Sequence, residues 1–597
     1  MNALASQRKA PAPASADPIT FEVIKNAFLE IAEQMGQTLL RTAFSPVIAE
    51  RLDASCAIFD ARGEMVSQAE MVPVHIGAMP YAVAGLLAAI PPESFEPGDV
   101  AIMNDPYHGN NHLPDVTIVK PVFVDGRPAY FPVARGHWAD TGGMVVGSFC
   151  VDATEIFQEG LRIPPVRLYR RGVLNRELLD TILLNVRDPV DRRGDLNAQI
   201  ATVNYAEARI LELVDKYGGA TVARTVEEIK AYSESRIRRG LARIPDGVYE
   251  GEDFMDGDGR TTRPIRFHVK ATVADGSIAL DFDGSDSQVA GAVNAPISVT
   301  AAAAWFAVKS VTDPYAPPNA GCYRPIELLA RPGTVVNPNF PAAVASANSE
   351  TCYRVLDVIY KALAPVSPLK CAGSYGTMSS NVSSGVDLRT GKNFIFVENY
   401  CGGWGATPET DGISGMKFGM SNSLSMPTEL FETMYPIVLE SRELIPDSCG
   451  HGRRRGGCGV RYRHRVPEWA ADVKWTVVFE RTQTPPWGLE GGLPARPARI
   501  YVEHPDGSVE DLLTLTGGRS SSKASDIPLQ VGDVLVFETP GGGGYGDPRG
   551  RARGLVVADV LNGYVSEEVA RTVYGVEVAP GELAESAARG LGPDPRG

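Results

Sequence analysis

The stretch that decides the fold reads Val100-Ala101-Ile102-Met103, then Asn104-Asp105-Pro106-Tyr107-His108-Gly109-Asn110-Asn111-His112-Leu113-Pro114-Asp115, then Val116-Thr117-Ile118-Val119. After a turn it continues as Ala129-Tyr130-Phe131-Pro132-Val133 and Arg135-Gly136-His137-Trp138-Ala139-Asp140-Thr141-Gly142-Gly143. Short β-branched and aromatic runs between Asn, Gly and Pro punctuation predict strands joined by loops. The polar side chains fall at strand ends, where a rigid sheet can hold ligand positions to a fraction of an ångström.

Four of the chain's eight histidines, His75, His108, His112 and His137, fall between positions 75 and 137. Imidazole nitrogen suits zinc, iron or manganese, and carboxylate oxygen draws the preference towards harder ions. His112-x-x-Asp115 with His137 on a neighbouring strand supplies three ligands, which leaves room for water or substrate on a divalent metal. The alternative is that these histidines cap loops or bond buried carbonyls. Asp105 and His108 form a second ligand set or a proton-relay pair, although Asp105-Pro106 equally makes an Asx-turn. Glu50, in Ala49-Glu50-Arg51-Leu52-Asp53, follows a helix, and Asp53 can equally pair with Arg51. Spacing does not choose between ligand and ion pair.

Working outward, Phe21, Ile24, Phe28, Ile31, Met35 and Leu39 recur at helical spacing behind a cap at Thr20. Residues 190–243 carry two helical patterns split at Tyr217-Gly218-Gly219, and an alanine-rich apolar helix lies within 294–312. Ile265 to Val269, Ile278 to Asp283, Val473 to Phe479, Ala498 to Val502 and Val534 to Phe537 predict strands. Tyr353 to Leu363 is the one helix expected in the Pro-, Gly- and Asn-dense region 313–420. At 597 residues the chain exceeds what one core supports. The expectation is a multi-domain α+β (mixed α/β) protein with several mixed β-sheets flanked by helices. Its parts are a tail over 1–17, a metal-site α/β domain over 18–245, a central α+β domain over 246–450, a β-rich domain over 451–580 and a polar tail over 581–597.

Composition excludes several classes. A net charge of −15 argues against nucleic acid or an anionic membrane surface as partner. No apolar run of about 18 residues suggests a membrane span. The N-terminal stretch lacks the apolar segment of a secretory signal, so a cytoplasmic location is expected. The eight cysteines form no Cys-x-x-Cys pair, and nothing marks Cys150 as a nucleophile. The glycine runs at 402–405 and 541–544 lack the phosphate-loop pattern and are expected to be tight turns. Arg453-Arg454-Arg455 can bind an anion or pair internally.

Asn104 to Tyr107, His112 to Asp115 and Gly136 to Met144 resemble the signature of the hydantoinase B/oxoprolinase family. Thr154 to Gly160, Asn319 to Pro325, Asp447 to Gly450, Arg455 to Gly457 and Gly541 to Pro548 are similar to it as well. The resemblance implies one subunit of an ATP-dependent enzyme that opens a cyclic amide such as a hydantoin, 5-oxoproline or a lactam. A separate hydantoinase A-like ATPase subunit would bind ATP and phosphorylate the substrate's carbonyl oxygen, in a hetero-oligomer. Carried onto this chain, the metal ligands of related subunits match His112, Asp115, His137 and Glu50, with Asp105, His108 or Asp140 moving protons. The other readings are a ketone carboxylase subunit and a non-catalytic scaffold for the ATPase.

Overall fold

The computed structural model describes residues 17–367 and 371–579. The tails expected at 1–17 and 581–597 lie outside this range, Asp17 excepted. Asp17, not Thr20, caps the first helix, α1 (Pro18–Thr42). Its carboxylate accepts the N–H groups of Ile19 and Thr20, both at 3.1 Å. Pro18 takes the first helical position, where its missing N–H costs nothing. The stripe Ile24, Phe28, Ile31, Met35 and Leu39 is buried as its spacing predicts.

A one-turn α2 (Pro46–Ala49) leads into β1 (Ala54–Asp60) and β2 (Met65–Gln68), and α3 (Pro73–Ala89) follows. Then come β3 (Val100–Met103), β4 (Asp115–Val119), β5 (Val122–Val124), β6 (Arg127–His137), β7 (Val166–Arg170) and β8 (Val173–Leu174). They form one antiparallel sheet in the order β2-β1-β6-β4-β3-β7-β8, with β5 on β6. After α4 (Arg176–Leu184), the long helices α5 (Pro189–Tyr217) and α6 (Gly219–Leu241) break at Gly218, as the sequence predicts. Helices α1 and α5 pack on each other and on β1 and β6.

Helix α3 has no signature in the pattern. It is apolar on nearly every face, so no stripe stands out, and it carries Pro80 inside. It is buried against α7 (Ile297–Thr312). A Cβ on Gly77 would lie 2.6 Å from both Cα and Cβ of Ala302, so the two helices touch backbone to backbone. Gly77→Val is expected to push them apart and cost at least the ~1–3 kcal/mol typical of overpacking, read as a lower thermal midpoint.

A second sheet holds β9 (Gly247–Met255), β10 (Ile265–Ala274), β11 (Ser277–Asp281) and β12 (Ile326–Leu329), covered by α8 (Cys352–Leu363). Two further antiparallel sheets, one containing Ser380–Asp387 and Ala470–Val478 and the other Val460–Arg465 and Val534–Glu538, pack together through Phe396, Trp475, Leu535 and Phe537. A buried charge cluster ties these layers. Arg481 Nη2 stands 2.5 Å from Asp253 Oδ2 on β9 and 2.8 Å from Asp357 Oδ2 on α8, and Arg354 pairs with both carboxylates.

The glycine runs are not turns. None of Gly541 to Gly544 has a positive φ. Their backbones interleave instead: Gly403 N–H donates to Pro540 O at 3.0 Å, Gly542 N–H to Gly457 O at 2.9 Å and Ala406 N–H to Gly543 O at 2.8 Å. A Cβ on Gly542 would meet the Trp404 carbonyl oxygen at 1.8 Å, so the glycines permit backbone contact rather than cradle phosphate. Arg455 is likewise spent internally, 2.8 Å from Asp559. Among the described residues no helix is long and apolar enough to cross a membrane.

Candidate metal centre

The register of the first sheet builds the site. Asp115 opens β4 and pairs directly with His137 at the end of β6. Cross-strand partners project to the same face with Cβ atoms about 4.5–5.5 Å apart. His112 sits on the turn before β4 and swings back to the same point. His137 Nδ1 stands 3.0 Å from Asp115 Oδ1, and His112 Nε2 stands 3.1 Å from the same oxygen. One donor atom from each of the three residues lies within 4.8 Å of the others, and all three residues are buried.

These separations fit a metal. Donor atoms about 2.1 Å from a common ion and at right angles stand about 3.0 Å apart. His112 Nε2 is buried without a hydrogen-bond partner, the state of a lone pair that awaits an ion. Its other nitrogen, Nδ1, lies 3.1 Å from the Ala345 carbonyl. Donation there leaves Nε2 unprotonated and facing inward, as metal-bound histidines require. Asp115 Oδ2 is held from behind by Asn111 Nδ2 at 2.6 Å and Asn348 Nδ2 at 3.0 Å. Burial alone would raise the Asp115 carboxyl. The imidazoles of His112, His75 and His137 packed around it instead hold it well below the usual carboxylate range.

Glu50 does not belong to this cluster. It is exposed at the C-terminus of α2 and does not line the cavity around the histidines. The acidic side chain that does is Asp53, just before β1. Ala54 pairs with Gly136, and the His137 N–H donates to the Asp53 carbonyl at 3.0 Å, so Asp53 lies across from His137. Asp53, His137 and Asp115 therefore sit side by side on three adjacent strands. The Arg51 pairing is long, 3.9 Å to Asp53, because Arg51 turns to Glu398 at 3.3 Å. His75, from α3, completes the group, with Nε2 3.1 Å from Asp115 Oδ2 and 3.6 Å from Asp53 Oδ1.

The three residues expected to move protons are engaged elsewhere, and none of them lines the cavity. Asp140 accepts four hydrogen bonds, from Gly142 and Gly147 N–H and from the backbone and guanidinium of Arg187, and so staples its own loop. Asp105 makes the Asx-turn to Tyr107 N–H at 2.9 Å and binds Arg162 at 2.6 Å and His108 at 3.1 Å. His108 is 42% exposed. The walls of the cavity are Val72, Val74, Phe149, Met378 and Val397, with Asn348, Ser349, Ser380, Asn399 and Ser421 as polar points. Sequence reasoning had no handle on most of these, because they arrive from segments distant along the chain.

A second acidic group, Asp60, Glu64 and Glu227, has comparable spacing. There the Lys230 ammonium already stands 2.6, 2.6 and 2.7 Å from the three carboxylates, where a cation would sit. That group is an ion-pair cluster.

A buried cluster of two histidines and one carboxylate at the end of the antiparallel sheet is a candidate metal site. Comparison places it more narrowly. The chain belongs to the hydantoinase B/oxoprolinase family, whose model matches residues 17–548. It is 37% identical to an uncharacterised protein of Methanocaldococcus jannaschii, over 94% of this chain and 96% of that one. It is 31% identical to the B-type subunit of a putative D-/L-hydantoinase from a Pseudomonas species, over 95% and 96%. Among solved structures it is similar to the ATP-dependent caprolactamase of Pseudomonas jessenii, with a TM-score of 0.86 and 28% identity over 97% of this chain and 99% of that one.

Proposed function

We propose that this chain is the metal-bearing subunit of an ATP-dependent cyclic amidase, opening a ring amide that a partner ATPase subunit has phosphorylated. The observation that carries the proposal is the convergence of His112 Nε2 and His137 Nδ1 on Asp115 Oδ1, at 3.1 and 3.0 Å, among buried residues. The names of the relatives, a B-type hydantoinase subunit and an ATP-dependent caprolactamase, support the substrate class and the need for a partner. Manganese, zinc or iron all suit two imidazoles with carboxylate.

His112, His137 and Asp115 would hold the ion, with Asp53 as the fourth ligand in place of Glu50. A divalent ion there supplies Lewis acidity and lowers the pKa of a bound water. An unstrained amide resists attack because its nitrogen donates into the carbonyl, and phosphorylating the oxygen removes that protection. Water would add at that carbon, the ring C–N bond would break as its nitrogen takes a proton, and the resulting acyl phosphate would lose phosphate to a second water. Phe149, Val72, Val74, Met378 and Val397 wall the site, so bulk water is kept from an activated substrate. The hydroxyls of Ser349 and Ser380 line the same cavity and offer hydrogen bonds to orient the ring.

The test is reconstitution with the partner ATPase, ATP and a panel of hydantoin, 5-oxoproline and caprolactam, with acetone plus bicarbonate as the competing arm. Ring opening that requires both chains and is lost on chelation is the expected result. Carboxylation without ring opening, or full activity of the ATPase alone, would overturn the reading. The ligand assignment has its own test. Asp53→Ala is expected to weaken metal binding at least as much as the 10–100-fold cost of losing a supporting group, and Glu50→Ala to leave it unchanged. Competition with a chromogenic chelator reads both, and the reverse order would restore Glu50.

A further inference from the structure

We infer that Glu159 is a positioning residue for the metal centre: its carboxyl clamps the peptide segment whose carbonyl turns the Nε2 of His112 towards the ion. The inference rests on the metal-centre reading above and adds a residue that touches none of the ligands.

Glu159 follows the short 3₁₀ turn Ile156–Gln158 and is 1% exposed. Its Oε1 accepts two backbone N–H groups, from Val344 at 2.5 Å and from Ala345 at 2.9 Å. The carbonyl of that same Ala345 is the partner of His112 Nδ1. Three residues on, Asn348 donates to Asp115 Oδ2. One short segment, 344–348, therefore orients two of the three proposed ligands, and Glu159 is the side chain that fixes where it begins.

Two further observations point the same way. Leu113, next to His112, packs with Ile156 and Val344 in one small apolar cluster, so the ligand turn, the Glu159 turn and the clamped segment share a core. The Ile156 N–H also donates to the Pro341 carbonyl at 2.8 Å, a second tie between those turns. The other oxygen of Glu159, Oε2, is buried without a hydrogen-bond partner. Burial pushes the carboxyl up to about 8 despite the two N–H donors, so near neutral pH it is held as the uncharged acid. In that form it acts as a two-bond acceptor, a task an amide oxygen can also perform.

That equivalence makes the clamp testable with zinc alone, titrated into the metal-free chain against a chromogenic chelator. Glu159→Ala is expected to weaken zinc binding by about 10–100-fold, the usual cost of losing a group that supports a ligand. Glu159→Gln should stay near the parent, and Glu159→Asp, one methylene too short to reach, should resemble alanine. Phe537→Ala, which hollows the core between the last two sheets and lies outside both the cavity and the clamp, should bind zinc normally, which separates positioning from general loss of stability. Parent-like affinity in a folded Glu159→Ala would overturn the inference, as would glutamine binding as weakly as alanine. Should the alanine variant fail to fold, equal affinities for the aspartate and glutamine variants decide against it. His112→Ala distinguishes the levels. If it binds zinc like the parent, the metal centre itself is wrong. If it binds weakly while Glu159→Ala does not, only the clamp is.

Discussion

His112→Ala and His137→Ala are each expected to abolish stoichiometric metal and reduce ring opening in the reconstituted complex to background, with the fold intact. Each removes one of three converging donors, so affinity should fall well beyond the 10–100-fold cost of losing a supporting group. The structural cost is smaller. His112→Ala removes the ring that bonds the Ala345 carbonyl, and a lost hydrogen bond is worth about 1 kcal/mol net against a typical stability of about 5–15 kcal/mol. Metal analysis after dialysis, circular dichroism and turnover with ATP and partner check the three parts. Metal and turnover retained in both variants would end the metal-centre reading.

Arg481→Ala should give the largest loss of stability. Arg481 is fully buried between Asp253 and Asp357, and Trp487 and Ser374 complete the carboxylates' hydrogen bonds. Breaking a buried ion pair by removing one partner costs about 3–5 kcal/mol, because a desolvated charge is left behind. Desolvation already raises both carboxyls above the ordinary range in spite of the arginines. Without Arg481 they rise further, so the folded variant holds a proton that its unfolded chain releases. Its stability then falls as pH rises through those folded values, and the deficit against the parent should be greater at pH 8.5 than at pH 6. Denaturant midpoints at the two pH values read this, and a deficit independent of pH would show that the carboxyls are not the groups left uncompensated.

Much of the architecture was legible locally. The break at Gly218 between α5 and α6, the stripe of α1 and the strands flanking the histidines follow from periodicity and punctuation, which act over a few residues. Elements whose burial is supplied from outside were not legible. Helix α3 is apolar on nearly every face and carries no stripe. The strand Ser380–Asp387 lies in the Pro-, Gly- and Asn-dense region where one helix alone is expected, yet its residues are largely buried between two neighbouring strands. The Gly541–Gly544 run reads as a turn and is in fact a seam between backbones.

For the site, the sequence by itself determined the donor types. His112-x-x-Asp115 and His137 are close enough along the chain for one turn and one strand pairing to bring them together. Only the tertiary structure decided the rest. Register across β1 and β6 puts Asp53 rather than Glu50 beside His137, since a shift along a strand changes which residues share a face. Loop closure spends Asp140 and Asp105 on backbone N–H groups and arginines, which leaves them no part in the cavity. Asn348, Phe149 and the Glu159 clamp reach the cluster from other segments, through contacts that sequence spacing does not encode.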